Sequence, residues 1–354
     1  MKPHGRWAGN LSMAPPRPRS MSPFATTRAL VVALCCGLAS ASHSRAEPFA
    51  YITNQGSHDV SVIDLASQRL VATVAVGRSP AGVVASSRIG RVFVTNPDSK
   101  TISVIDMHER KVVDTWAAGE GTVGIDAAPD GSQVFAADWF RNELLVYDSR
   151  VTAGVGPGRN TPVATIAVGK APAGVAASDR PGTVFVAERD DDSVALVDVN
   201  TQRVRARASV GRHPFALLFD APRQRLYVLN VQSDDVSVLD TRDPNRLDLI
   251  ATVAVGKAPY GAALAVGGSL LYVTNQHDDT VSMIDAATLK PLRTLTGFGY
   301  PEGVAAHGDR LYVVNWMNDN VSVLDARSGQ ALHTIATGRN SRGFGAFIGA
   351  ATAP

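Results

Sequence analysis

Seven times along the chain a short apolar run ends in a polar residue: YITN at Asn54, VFVTN at Asn96, VFAAD at Asp138, VFVAE at Glu188, LYVLN at Asn230, LYVTN at Asn275 and LYVVN at Asn315. Ten residues after each stands an aspartate: Asp64, Asp106, Asp148, Asp198, Asp240, Asp285 and Asp325. Seven matches at one offset define a structural repeat, and a repeat constrains the fold more tightly than any composition does. Its period, read between successive run ends, is 42, 42, 50, 42, 45 and 40 residues.

Each period holds four short runs that alternate apolar and polar residues or are rich in Val and Ile. Gly, Pro, Asn and Asp separate them, which is the pattern of strands and turns. We label the runs A (GVVAS from 82, GVAAS from 174), B (RVFVTN, RLYVLN), C (VSVID, VSVLD) and D (LVATVAVG, LIATVAVG). Four strands in a period of about 40 residues predict an all-β fold, a seven-bladed β-propeller with four-stranded blades. The chain enters with B, C and D runs over residues 49–76 and leaves with an A-like run, GFGAFIG, over 343–349. The two ends together complete one blade, so the C-terminal A strand is expected to close the ring by pairing with the N-terminal three. Closure removes the sheet edges that would otherwise pair with other chains. The A runs are built from Gly, Ala and Val and so belong at the crowded hub. That places the D-to-A links and B-to-C loops on one face, called upper here, and the A-to-B and C-to-D loops on the other.

Residues 1–46 are different in kind. They carry six basic residues and no acidic one, followed by the apolar run ALVVALCCGLASA. That run is short for a membrane span, and Ser44-Arg45-Ala46 has the small residues a signal peptidase reads. The expectation is a cleavable signal peptide ending at Ala46, with Ala41 as the alternative and Met13 or Met21 as alternative starts, and a propeller domain over 47–354. Removing the leader leaves 28 Lys and Arg against 32 Asp and Glu, a formal charge of −4 instead of +2. Cys35 and Cys36 leave with it, which excludes disulfides, haem attachment through CxxCH and thiolate chemistry in the mature body. The expected location is periplasmic or secreted, and the expected state a monomer with no membrane span.

With its YVTN-like B strands, its VSVID C strands and the VGxxPxGVA link between blades, the chain resembles the YVTN family of bacterial and archaeal seven-bladed propellers over residues 48–350. The resemblance implies the fold. It implies no catalytic residue, because the repeated positions are those of the scaffold.

The Asn at each B end and the Asp at each C end recur in nearly every blade, and a residue that every blade needs is a poor candidate for one active site. Both types bond local backbone at strand ends and turns. The acidic clusters Asp190-Asp191-Asp192, Asp234-Asp235 and Asp278-Asp279 lack the spacing of a calcium loop. The six histidines beyond the leader fall on both faces, which argues against a three-histidine metal centre. No cofactor or metal is expected, and no GxSxG, HExxH or phosphate-loop pattern occurs.

Departures from the repeat on the upper face are therefore the guide to function. One set is basic: Arg78, Lys170, Arg212, Lys257 and Arg339 follow the link glycine in five of seven blades and would form a ring around the channel mouth. The alternative is that each pairs with an Asp of an adjacent B-to-C loop. A second set follows the link proline. Where other blades have Ala81, Val123 or Ala173, three successive blades have Phe215, Tyr260 and Glu302, and the closing blade has Arg342. Tyr300 and Trp316 lie in the same sector, and Trp139 and Phe140 occupy the equivalent loop across the ring. Aromatic walls with a few charged tips suit a ligand or peptide site; equally, such rings cover blade seams.

The leading expectation is a non-enzymatic exported propeller that holds a small ligand, peptide or protein partner on its upper face. A propeller lyase or lactonase using Glu302 with a histidine or a metal is the first alternative, and single-stranded nucleic-acid binding through the basic ring is the second. The Gly- and Pro-rich insertion at 149–162 is read as slack in a lower-face loop.

Overall fold

The ten-residue offset comes from a six-residue C strand entered through a four-residue loop. In the second blade of the computed structural model, Asn96 ends the B strand Arg91–Asn96 and faces Thr101, which opens the C strand Thr101–Asp106. The loop turns because its fourth residue adopts the left-handed conformation. That residue is His58, Lys100, Asn142, Asp192, Asp234, Asp279 or Asp319 in successive blades, all with φ between 50° and 61°. At the far end Asp106 accepts hydrogen bonds from the backbone N–H groups of His108 and Glu109, both 2.8 Å, and so shapes the turn into the D strand.

The structure describes residues 48–150 and 160–351. The proposed leader, its cleavage site and its cysteines lie outside them, as do residues 151–159 of the insertion. Seven antiparallel sheets follow one another along the chain, six of them four-stranded and built from consecutive strands. Neighbouring A strands pack against each other at the hub. The approach there is close: a Cβ added to Gly174 would lie 2.3 Å from the carbonyl oxygen of Phe215, and one at Gly261 would lie 2.4 Å from that of Glu302. This is why six of the seven A runs keep glycine at that position, Ala216 being the exception. The D strands are outermost and largely exposed, as in Arg69–Ala75.

One B-strand position supplies a buried aromatic in every blade: Tyr51, Phe93, Phe135, Phe185, Tyr227, Tyr272 and Tyr312, each at most 2 % exposed. Each fills the space between adjacent sheets and contributes about 2–3 kcal/mol by its burial.

The seventh sheet closes the ring through both ends of the chain, but not with the continuous A strand that GFGAFIG suggested. Ser341–Arg342 pairs with Asn54 and Thr53, and Ile348–Ala350 pairs with Ala50, Phe49 and Pro48. Between them, before Phe347 O accepts the Tyr51 N–H, residues 343–346 leave this edge and bond the next blade instead. There Val83 N–H donates to Phe344 O at 2.9 Å and Ala85 N–H to Ala346 O at 2.8 Å. Gly345 permits the excursion. Its φ is +119°, and a Cβ there would lie 2.3 Å from Val83 O. The closing strand thus spans two blades and carries Phe344 into the central channel.

Candidate functional site

The basic ring is part of the link geometry. In three links an arginine is followed 21 residues on, counting round the closure for the last, by a loop serine that accepts its backbone N–H: Arg78 with Ser99, Arg212 with Ser233 and Arg339 with Ser57. Each guanidinium also donates to the carbonyl just before that serine, on Asp98, Gln232 and Gly56. In two links the residue is lysine and the acceptor is aspartate: Lys170 with Asp191 and Lys257 with Asp278. Only Lys170 forms an ion pair with its loop aspartate, at 3.6 Å. The pairing of every cation with an Asp, considered above, is therefore replaced by carbonyl capping in the arginine links.

In six of the seven links the next residue reaches back to the preceding blade. Its N–H donates to His58, Asn142, Asp192, Asp234, Asp279 or Asp319. The acidic clusters are consumed by this stitching, and among the described residues no group of His, Cys, Asp or Glu is arranged to hold a metal ion.

At the channel mouth the structure brings together Phe215, Tyr260, Glu302 and Arg342. The Arg342 guanidinium donates from Nε to Glu302 Oε2 at 2.6 Å, and from Nη2 to Glu302 Oε1 at 3.1 Å and to the Tyr260 hydroxyl at 2.7 Å. Gln276 Nε2 donates to Glu302 Oε1 at 2.8 Å. Glu302 is 1 % exposed, so its carboxylate is wholly engaged by protein donors. Burial raises the Glu302 carboxyl, and Arg342 and Gln276 oppose that shift. Burial likewise raises the Tyr260 phenol. Burial works against the Arg342 charge, but Tyr260 and Glu302 outweigh it and hold its pKa above the ordinary value. The aromatic rings continue inward: Phe215 lies 4.7 Å from Tyr260 and 4.9 Å from Phe344, closing the channel beneath Arg342.

Arg342 also lines a depression of about 400 Å³ on the upper face, with Gln55, Ala81, Val123, Trp139 and Phe140 among its walls and Asp98 and Glu120 at its sides. Trp139 is braced by Phe215 at 6.1 Å and by the Arg189 guanidinium at 5.2 Å, whereas Phe140 is 72 % exposed. Tyr300 and Trp316 stand apart. Their rings meet at 5.5 Å in a tilted arrangement, Tyr300 meets His277 at 3.3 Å, and Trp316 reaches the depression only through a long hydrogen bond to Gln55 at 3.4 Å.

Sequence reading missed Gln55, Gln276 and Phe344. The first two occupy the position directly after the B-strand end, where the other blades have Pro97, Trp139, Arg189, Val231 and Trp316. Comparing all seven residues at that position, rather than the tryptophans alone, would have found them. Phe344 had no such signal, because its segment reads as an ordinary A strand.

A family model described as a YNCE-like beta-propeller matches residues 156–351. No curated protein sequence matches the chain. Among solved structures, the chain is similar to Kuenenia stuttgartiensis hydrazine synthase (18 % identity, TM-score 0.66, covering 82 % of this chain and 99 % of that one). It is also similar to a functionally unknown protein from Desulfotomaculum acetoxidans (17 %, 0.69, 86 % and 99 %). A third similar structure is the dihydro-heme d1 dehydrogenase NirN in complex with DHE (18 %, 0.60, 81 % and 63 %). At these identities the likeness is one of fold.

Proposed function

Because the chain belongs to the YNCE-like β-propeller family, whose scaffold supports many roles and leaves function to what is mounted on it, we propose that it is an exported binding propeller. Its ligand is a small molecule or peptide end that carries a carboxylate and an apolar or aromatic body. The observation that supports this most directly is Arg342. Its Nε and Nη2 are fixed by Glu302 and Tyr260, Nη1 has no protein acceptor among the described residues, and the residue forms part of the wall of an aromatic-sided depression. A donor held in place before the ligand arrives spares the ordering cost of binding. Trp139 and Phe140 supply rigid apolar area beside it. Glu302 serves as the anchor of Arg342, which leaves it no free oxygen for acid–base work.

A thermal-shift screen of aromatic and aliphatic carboxylates tests the reading, since a ligand that binds only the folded chain raises its Tm. A stabilising carboxylate is expected to lose about tenfold or more in affinity in Phe140→Ala and in Trp139→Ala, roughly 1.4 kcal/mol each. No stabilisation by any carboxylate, or a shift untouched by both variants, would refute it. Export is tested separately, by N-terminal sequencing of the protein from the extracytoplasmic fraction: a start at Glu47 is expected, and recovery of the intact leader there would count against it.

A further inference from the structure

Beneath the aromatic plug of Phe215, Tyr260 and Phe344 the channel opens into a second cavity, of about 490 Å³, on the side of the lower face. Its walls are the A strands of five blades and the closing segment 343–348. They are almost wholly apolar: half-buried Leu218, Phe219, Leu264 and Ala306 face Ala346, which is exposed within it. The volume is that of a small-molecule site.

Besides the Tyr260 phenol, which is bonded to Arg342, one ionisable side chain, Asp126, lines this cavity. It lies deep in the molecule yet keeps some exposure to the cavity space. Its Oδ1 accepts the backbone N–H of Ala127 and its Oδ2 that of Ala177 on the neighbouring A strand, both at 2.8 Å. Among the described residues it has no ion pair, and no basic side chain lines the cavity. A carboxylate in such a place is raised by burial, to about 6, against the lowering effect of those two N–H groups. Each oxygen retains a lone pair beyond the one that the backbone uses. Aspartate is not required for the strand, because the positions that face the same B-strand aromatic in five other blades are Val84, Ala176, Leu218, Ala263 and Ala305.

We propose that the lower cavity is a binding site for a small primary amine with an apolar body, its ammonium paired with Asp126 and its hydrocarbon part against Leu218, Phe219 and Leu264. An ammonium supplies the counter-charge that the cavity lacks, and a buried charge is tolerated only when paired. The apolar walls favour a hydrocarbon tail at about 0.8 kcal/mol per buried methylene. The site is separate from the upper depression, since the plug and Arg342 lie between them.

Isothermal titration of the full chain with n-hexylammonium and with n-hexanol provides the test. The amine is expected to bind at least about tenfold more tightly than the alcohol. That preference is expected to vanish in Asp126→Asn, and both probes are expected to lose affinity in Ala346→Trp, which fills the cavity from an exposed position. Equal binding of the two probes overturns the proposal, as does no detectable binding of the amine or amine binding indifferent to both variants. Should Asp126→Asn fail to fold, the amine-to-alcohol ratio in the wild type and the loss in Ala346→Trp decide alone. Neither outcome depends on the upper-face reading, whose probes are carboxylates and whose variants lie above the plug.

Discussion

At the scale of single residues, two of the molecule's carboxylates are withdrawn from water and treated in opposite ways. Glu302 is neutralised by a bidentate arginine, while Asp126 has only backbone donors. The second arrangement has a consequence for stability. Burial moves the Asp126 carboxyl from 3.8 up to about 6, so the folded chain holds a proton that the unfolded chain has already lost between those pH values. Its contribution favours folding fully below about pH 4 and is lost as pH rises to about 6, a span worth about 3 kcal/mol at most and less because the group opens onto the cavity. Asp126→Asn removes this titration. The stability of the variant minus that of the wild type, from urea unfolding at pH 4, 5, 6 and 7, is expected to increase with pH across that window. A difference that is flat with pH would disprove the assignment. Asp126 was invisible in the sequence because one aspartate in an A run looks like ordinary strand variation; only closure of the ring makes that position a channel wall. Phe215, Tyr260, Glu302 and Arg342 were legible because seven copies supply their own reference, so that four departures at one position stood out. What sequence could not distinguish was which of them meet a ligand and which support others.

At the scale of the element, the end of the B strand performs one task with three chemistries. In five blades a buried Asn donates to a C-strand serine, as Asn96 does to Ser103 at 3.0 Å. In the third blade Asp138 accepts the N–H groups of Glu120, Gly121, Phe140 and Arg141. In the fourth, Glu188 accepts from Gly169 N–H and Ser193, and from Arg207 Nε at 2.9 and 3.1 Å. Glu188 is fully buried, whereas Arg207 is half exposed on an outer strand and looks dispensable. Its removal strands a buried carboxylate. Arg207→Ala is expected to cost about 2–4 kcal/mol, the lower end reflecting solvent around the guanidinium, with Glu188→Gln in the same chain restoring most of it. Chemical denaturation of the two single variants and the double variant measures this; a loss below about 0.5 kcal/mol, typical of surface substitutions, would show the pair to be idle. The strand pattern itself was readable from the sequence, as periodicity and turn residues act locally. The interrupted closing strand was not, because its two partners lie at the start of the chain and in the second blade.

At the scale of the whole molecule, stability depends on that closure. Residues 341–350 pair with the first strand, bond the second blade and place Phe347, fully buried, in the core cluster shared by the first, second and last blades. Deleting 341–354 leaves the edge of Pro48–Asn54 bare and the hub open. The truncated chain is expected to lose the single cooperative unfolding transition and to self-associate through the freed edge, as read by urea unfolding and sedimentation. A monomer with an unchanged transition would show that the ring holds without its clasp. The link geometry carries a different kind of consequence, for exchange of parts between repeats. Since arginine links go with serine loops and lysine links with aspartate loops 21 residues on, a crossover between two blades that falls within those 21 residues mismatches donor and acceptor, while one placed after the loop transmits both together. The interchangeable cassette of this protein therefore runs from loop to loop, and straddles two sheets instead of coinciding with one.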